Sequence, residues 1–225
     1  MQQSEHQRRA YLEALGIDVW VPRDQAEVPD EITEPECNAA SMDWSQLRES
    51  VAGCTRCALH QSRTQTVFGT GKFDADWMII GEAPGAEEDR RGEPFVGRAG
   101  KLLDQMLRAI GHSRDSVFIA NVLKCRPPNN RDPKADEAGA CRRYLERQIE
   151  LVKPKIIVAV GRIAAQQLLE TEATLGSLRG TLHHLGEIPV IVTYHPAYLL
   201  RSPAQKRKAW HDLRLALTVA KGSAA

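Results

Sequence analysis

The chain has 225 residues, of which 42% are hydrophobic and 26% charged, with a formal net charge of +1, enough for one folded core with a small appendage. No apolar run approaches the roughly 18 residues of a membrane span, and MQQSEHQRRAYLEALG lacks the apolar stretch of a secretory signal, so a cytoplasmic protein without a membrane segment is expected. The charge is unevenly spread: residues 1–50 carry 4 Arg, no Lys and 11 acids, a net of −7, whereas residues 51–225 carry 26 basic and 18 acidic residues, a net of +8.

An acidic head on a basic body points to a polyanionic partner for the body. Residues 8–23, RRAYLEALGIDVWVPR, form a short amphipathic stretch with Tyr11, Leu12, Leu15, Ile17, Val19 and Trp20. It is too short to fold alone, so it either docks on a partner or packs back on its own domain. Residues 24–43 are acidic, proline-bearing and poor in large apolar groups, the composition of a disordered linker. The expected organisation is an N-terminal extension over 1–43 and a folded domain over 44–225.

Within the domain, apolar strand-like and amphipathic helix-like segments alternate. Strands are predicted at 77–80, 117–123, 156–160 and 190–193, and helices at 99–110, 136–152, 162–169 and 203–219. This alternation predicts a three-layer α/β/α sandwich around a central, mainly parallel four-stranded sheet. The strand at 77–80 ends abruptly in Gly81-Glu82-Ala83-Pro84-Gly85, which cannot continue it. Open α/β sheets place ligands at such strand ends. The acids Glu87, Glu88, Asp89 and Glu93 follow; they would repel phosphate, and the GxxxxGK[ST] pattern is absent, so this turn is not a P-loop. Asn121 and Tyr194-His195-Pro196 lie at two further strand ends, predicted to meet the turn at one sheet edge.

Five cysteines are present: Cys37, Cys54, Cys57, Cys125 and Cys141. Cys54 and Cys57 form a CxxC, and Cys37 falls in the linker as a bystander. Disulfides are not expected in a cytoplasmic protein. Four thiols in two groups suggest a metal site, either zinc or iron–sulfur, and the spacing matches neither a zinc ribbon nor a ferredoxin. Two basic loops follow. Lys124 to Lys134 is proline-rich and holds Arg126 and Arg131; His195 to Arg201 presents Tyr198, Leu199 and Leu200 beside Arg201. Apolar residues flanked by cations suit a loop that enters a base stack while holding phosphate.

Together, GEAPGAEED at 81–89, PFVGRAGKLLD at 94–104, NVLKCRPPNNRDP at 121–133, YHPAYLLR at 194–201 and the four cysteines resemble the family 4, iron–sulfur type of uracil-DNA glycosylase. The resemblance runs from about Ser45 to the C-terminus. It implies a [4Fe–4S] cluster on Cys54, Cys57, Cys125 and Cys141. It implies a monofunctional glycosylase that flips uracil out of single- or double-stranded DNA, hydrolyses its glycosidic bond and starts base excision repair. Asn121 resembles the uracil reader, Phe95 the aromatic platform, and His195 the donor to uracil O2. Gly81, Glu82 and Gly85 would shape the pocket. Where better-known uracil glycosylases carry an aspartate, this chain has Ala83, so the carboxylate work passes to Glu88, favoured for the water or sugar, or to Glu82. Tyr198, Leu199 and Leu200 resemble the wedge, with Arg126, Arg131 and Arg201 toward DNA. No nucleophilic histidine interrupts CRPPNNRDP, so turnover without a covalent adduct is expected. A monomer is expected, and the alternative is a non-catalytic iron–sulfur DNA-binding or replication-accessory module. RRAYLEALGIDVW also resembles the N-terminal peptide of the psi subunit of DNA polymerase III, which implies a tether to the chi subunit through residues 8–23.

Overall fold

The computed structural model describes residues 14–16 and 39–222. The chain divides into two units, Met1–Cys37 and Asn38–Ala225. In the first, Ala14, Leu15 and Gly16 are exposed at a helical turn; the rest of segment 8–23, Cys37 and most of the acidic linker lie outside the described residues. The second unit reaches into the stretch read as linker. Ala39 is buried, and the Met42 carbonyl accepts from Arg147 Nε at 2.7 Å.

Helix α1, Trp44–Ala52, starts where Asp43 caps it. Asp43 Oδ1 accepts from the Gln46 N–H at 2.9 Å, and Gln46 Oε1 accepts from the Asp43 N–H at 3.0 Å. This reciprocal box satisfies two otherwise orphaned amides. The strands are β1 Thr70–Gly71, β2 Trp77–Gly81, β3 Phe118–Asn121, β4 Ile156–Val160, β5 Leu182–Leu185 and β6 Ile188–Thr193, and the helices after α1 are α2 Ala86–Arg91, α3 Arg98–Ala109, α4 Ala135–Val152, α5 Arg162–Leu169, α6 Leu175–Leu178, α7 Pro196–Arg201 and α8 Lys206–Gly222. The sheet order is β1-β3-β2-β4-β6-β5. The four central strands run parallel, and β1 and β5 pair antiparallel at the two edges. The four expected strands are therefore the centre of a six-stranded mixed sheet.

Successive residues of a strand face opposite sides, and here both sides are covered. Met78 and Ile80 of β2 pack in one cluster with Leu145 and Ile149 of α4 and Ala164 and Leu168 of α5. Trp77 and Ile79 pack in another with Leu103 and Leu107 of α3 and Leu213 and Ala216 of α8. Burial on both faces is why β2 and β4 read as unbroken apolar runs rather than alternating ones. Each large side chain so buried contributes roughly 1.5–3 kcal/mol. Among the described residues, no helix is long and apolar enough to cross a membrane.

Register then positions the site. Gly81 of β2 pairs with Asn121 of β3, and Val160 of β4 with Thr193 of β6. The carboxyl ends of the parallel strands thus finish level, and the segments after β2, β3 and β6 open onto one edge.

Candidate active site

A cavity of about 460 Å³ occupies that edge, with Glu82, Glu88, Phe95, Asn121, Asp132, His195, Tyr198 and Arg201 in its lining. Its floor depends on the absence of a side chain at Gly81. A Cβ there would stand 2.4 Å from Asn121 Oδ1 and 2.6 Å from Phe95 Cζ, closer than any real contact. The Phe95 ring and the Asn121 amide therefore close over bare backbone.

Phe95 is held in an uncommon conformation, with φ at 54°. A side chain of its type adopts positive φ only when its surroundings impose it. Three contacts do so. Arg114 donates from Nη1 to the Phe95 carbonyl at 3.1 Å and from Nη2 to the Pro94 carbonyl at 2.7 Å. The same guanidinium is anchored on Glu93 at 3.0 Å and Asp104 at 3.2 Å. Glu88 Oε1 accepts from the Val96 and Gly97 N–H groups at 3.0 and 3.1 Å, taking the place of a side-chain cap at the start of α3. Finally, the first turn of α3 lies so close that a Cβ on Gly100 would sit 1.7 Å from the Phe95 oxygen.

Asn121 is 2% exposed. Its side-chain oxygen has no hydrogen-bond partner, although leaving such an acceptor unpaired costs about 1–3 kcal/mol. The segment beyond it is strapped to the GEAPG turn: the Val122 N–H donates to the Gly81 carbonyl at 2.9 Å and the Leu123 N–H to the Glu82 carbonyl at 3.0 Å.

His195 caps α7, its Nδ1 accepting from the Ala197 N–H at 3.1 Å. An accepting Nδ1 places the ring proton on Nε2. Burial and the positive charge of Arg201 push its pKa down to about 4, against a smaller upward pull from Glu88, so the imidazole is neutral at physiological pH. Its ring lies 5.6 Å from that of Phe95, tilted by 30°. Glu82 is shifted the other way. Burial, reinforced by Asp132 and opposed by Arg162, raises its pKa to about 7.

The basic residues divide. Arg201 is exposed at the rim. Arg131 spends its guanidinium on Glu137, at 2.8 and 2.5 Å, and Arg126 bonds Asn130 at 2.8 Å. Tyr198 stacks on Tyr194, with centroids 5.1 Å apart. Leu199 does not stand beside it at the surface: it is 1% exposed, because three consecutive helical residues cannot all face outward. Leu200 is half-buried. Two features went unread in the sequence. Arg114 has no motif around it, and Asp89 is drawn away from the cavity, its carboxylate accepting from the Thr64 N–H at 2.9 and 3.1 Å.

Behind the cavity lie the four thiols, none of them in a disulfide; Cys125 and Cys141 are buried, Cys54 and Cys57 half-buried. Cys125 and Cys141 share a cluster with Leu59 and Ala138, against which Cys57 packs. Burial raises the pKa of Cys57 and Cys125 and takes Cys141 up to about 12, and the neighbouring thiols add to each rise. A donor already points at one sulfur: Arg63 Nη1 reaches Cys125 Sγ at 3.0 Å. Among the described residues, no group of three or more His, Cys, Asp and Glu side chains is drawn together as for one metal ion. A cluster with each thiolate on a different iron asks for a wider spread of sulfurs than a single tetrahedral ion does. Four free thiols, one of them already accepting from a guanidinium, fit such a group.

The sequence is similar to those of known proteins. A family model described as the uracil DNA glycosylase superfamily matches residues 68–214. The type-4 uracil-DNA glycosylase of Pyrobaculum aerophilum is 43% identical over 182 residues, covering 77% of this chain and 93% of that protein. That of Sulfurisphaera tokodaii is 46% identical over 178 residues, 75% of this chain and 81% of that protein. That of Thermotoga maritima is 47% identical over 158 residues, 69% of this chain and 82% of that protein.

Proposed function

The chain belongs to the type-4 uracil-DNA glycosylases, and from that premise we propose how its pocket removes uracil from DNA. It is a DNA glycosylase, a hydrolase that acts on uracil-containing DNA. One observation carries the mechanism: the buried, unpaired Asn121 oxygen beside the Phe95 ring and the bare Gly81 backbone. Uracil offers a donor at N3 and an acceptor at O4, so the Asn121 carboxamide accepts from N3–H and donates to O4. Cytosine presents the reverse pattern and would face donor with donor. An unpaired acceptor in the empty pocket makes the energetic gain specific to a base that supplies the missing proton.

A uracil inside the duplex stack is out of reach, so the nucleotide is extruded and the base stacks on Phe95. Tyr198 with Leu200 then occupies the vacated stack, and Arg201 holds phosphate at the rim; Leu199 serves as their buried anchor. Cleavage of the bond between C1′ and N1 leaves positive charge on the sugar and negative charge on uracil. The neutral His195 donates from Nε2–H to uracil O2 as that charge builds. Water adds to C1′ and gives up a proton, yielding the abasic site and free uracil.

Of the two carboxylates, we assign the water and the sugar cation to Glu82 and the mounting of the Phe95 loop to Glu88. Two backbone amides hold Glu88 Oε1, whereas a carboxyl raised to about 7 is poised to accept a proton near neutrality. This reverses the weight that the motif alone suggests. Cys54, Cys57, Cys125 and Cys141 would hold a [4Fe–4S] cluster, which supplies a cross-link between the CxxC segment and the basic loop after β3. Residues 8–23 we assign as a docking peptide for the chi subunit, supported by the sequence pattern alone; equal recovery of chi with and without residues 1–40 would sink that assignment. We further infer a monomer that turns over without a covalent adduct.

The deciding experiment is release of free uracil from a single-stranded oligonucleotide carrying one deoxyuridine. Wild type should release it and Asn121→Ala should not. A wild-type chain that binds the oligonucleotide but leaves the uracil in place would favour a non-catalytic module.

A further inference from the structure

Lys124 is a buried amine to which the mechanism gives no task. It is 1% exposed, and its hydrogen-bond partners are neutral. Nζ donates to the Asn121 main-chain carbonyl at 2.7 Å and to Gln148 Oε1 at 2.6 Å. Gln148 is itself fully buried and donates from Nε2 to the Phe68 carbonyl at 2.8 Å. A buried ammonium costs several kcal/mol unless charge and hydrogen bonds compensate it. Packing alone would be met by methionine or leucine. In the chain Lys124 directly precedes Cys125, one of the four thiols.

Lys124 therefore touches two things at once. Its main chain runs straight into Cys125 of the four-cysteine site, and its side chain folds back three residues to hold the carbonyl of Asn121. The amides between them, at Val122 and Leu123, are tied to Gly81 and Glu82 on the opposite side. The peptide that carries the Asn121 carboxamide is thus clamped from the cysteine side by the lysine and from the pocket side by the GEAPG turn.

We propose that Lys124 is a positioning residue that couples the four-cysteine site to uracil recognition, setting the orientation of the Asn121 carboxamide through its main-chain carbonyl. The role rests on the uracil-DNA glycosylase reading and on Asn121 as the base reader. Lys124 is joined to Cys125 through the chain and to the Asn121 carbonyl through Nζ, so a displacement on one side is felt on the other. An uncharged residue would leave the Asn121 and Gln148 oxygens buried without donors.

The test uses the full-length protein purified without oxygen, as Lys124→Met, as Lys124→Met with Gln148→Met, and as Gln148→Glu. The double variant removes Gln148 Oε1, one of the acceptors stranded by the single one, which favours its folding. Three quantities are read: iron per chain, inhibition by free uracil, and affinity for uracil-free DNA. In the double variant iron should stay at the wild-type level. The inhibition constant for uracil should rise about tenfold, equivalent to about 1.4 kcal/mol, with affinity for uracil-free DNA unchanged. An iron-loaded double variant that binds uracil and turns over like wild type overturns the proposal. Should both methionine variants lose iron, Gln148→Glu decides. It keeps the lysine but pulls the ammonium off the Asn121 carbonyl, so weaker uracil inhibition with full iron supports the role, and unchanged inhibition overturns it. A wild-type protein that releases no uracil overturns the function itself, whereas normal release with unaffected variants overturns only the part given to Lys124.

Discussion

Gly81 and Asn121 face each other in register across two parallel strands, and a Cβ on Gly81 would fall 2.4 Å from Asn121 Oδ1. The proposed uracil reader and the floor of the pocket are therefore one contact. Gly81→Ala should push the Asn121 carboxamide and the Phe95 ring outward into the volume meant for uracil. The expected loss in kcat/KM is about a hundredfold or more, roughly 2.7 kcal/mol, with a stability loss of about 1–3 kcal/mol from overpacking. Single-turnover excision alongside a denaturant titration measures both, and a variant excising uracil at the wild-type rate would show that the floor is elsewhere.

Arg114 offers a second handle on the same pocket without lining it. Its guanidinium holds the carbonyls of Pro94 and Phe95, and these set the left-handed backbone of Phe95. Arg114→Ala should relax Phe95 and leave Asp104 and Glu93 unpaired. Uracil excision should fall by about tenfold to a hundredfold, roughly 1.4–2.7 kcal/mol. Binding of uracil-free DNA should hold steady, because Arg114 is separate from the rim that carries Arg201.

The contrast between Arg114 and Phe95 shows how far the site was legible in the sequence. Phe95, Asn121 and His195 could be named because each sits in a motif whose neighbours are also required. Arg114 acts from a loop, and nothing around it marks a partner 19 residues earlier. The four parallel strands announced themselves because burial on both faces makes unbroken apolar runs. The edge strands did not: β1 has two residues, and β5, Leu182-His183-His184-Leu185, is only half-buried. Arg131 looked like a phosphate ligand because the sequence shows its charge but not the Glu137 carboxylate that neutralises it. Leu199 looked like part of a wedge because a run of apolar residues does not reveal which of them the helix turns inward.

The four thiols should stand or fall together. Cys141→Ala removes one of the four proposed ligands, a sulfur buried in α4, so iron should drop from about four per chain toward zero. The CxxC segment would then lose the proposed cross-link to the loop after β3. Visible absorbance, iron analysis and the thermal midpoint check this. Colourless wild-type protein carrying stoichiometric zinc would replace the cluster with a mononuclear site.

His195 should act as a neutral donor. Its pKa near 4 in the folded state lies below the ordinary value of about 6.5, so between those two values the unfolded chain binds the extra proton. Stability contributed by this residue should be complete above about pH 6.5 and fall as pH drops toward 4. His195→Ala should slow excision about a hundredfold to a thousandfold, as expected for loss of one oxyanion donor, and His195→Gln should recover part of it. Thermal midpoints across that pH range, compared with His195→Gln, isolate the contribution.

Glu82 provides the sharpest separation of the two carboxylates. With a folded pKa of about 7, it is protonated below neutrality and ionised above it. If the ionised form orients water and faces the sugar cation, the single-turnover rate should rise about tenfold per pH unit below 7 and level off above. His195 stays neutral throughout that range, so the limb is not its own. Glu82→Gln should lower the plateau by at least about tenfold and abolish the limb. The same shift works against the fold: the unfolded carboxyl releases its proton near 4.5 while the folded one keeps it to about 7, so stability declines as pH rises between them, and Glu82→Gln should remove that decline. Glu88→Gln keeps an oxygen for the Val96 and Gly97 amides and should preserve the limb, whereas Glu88→Ala should free the Phe95 loop and slow excision at every pH. A pH limb that survives Glu82→Gln and disappears in Glu88→Gln would exchange the two assignments.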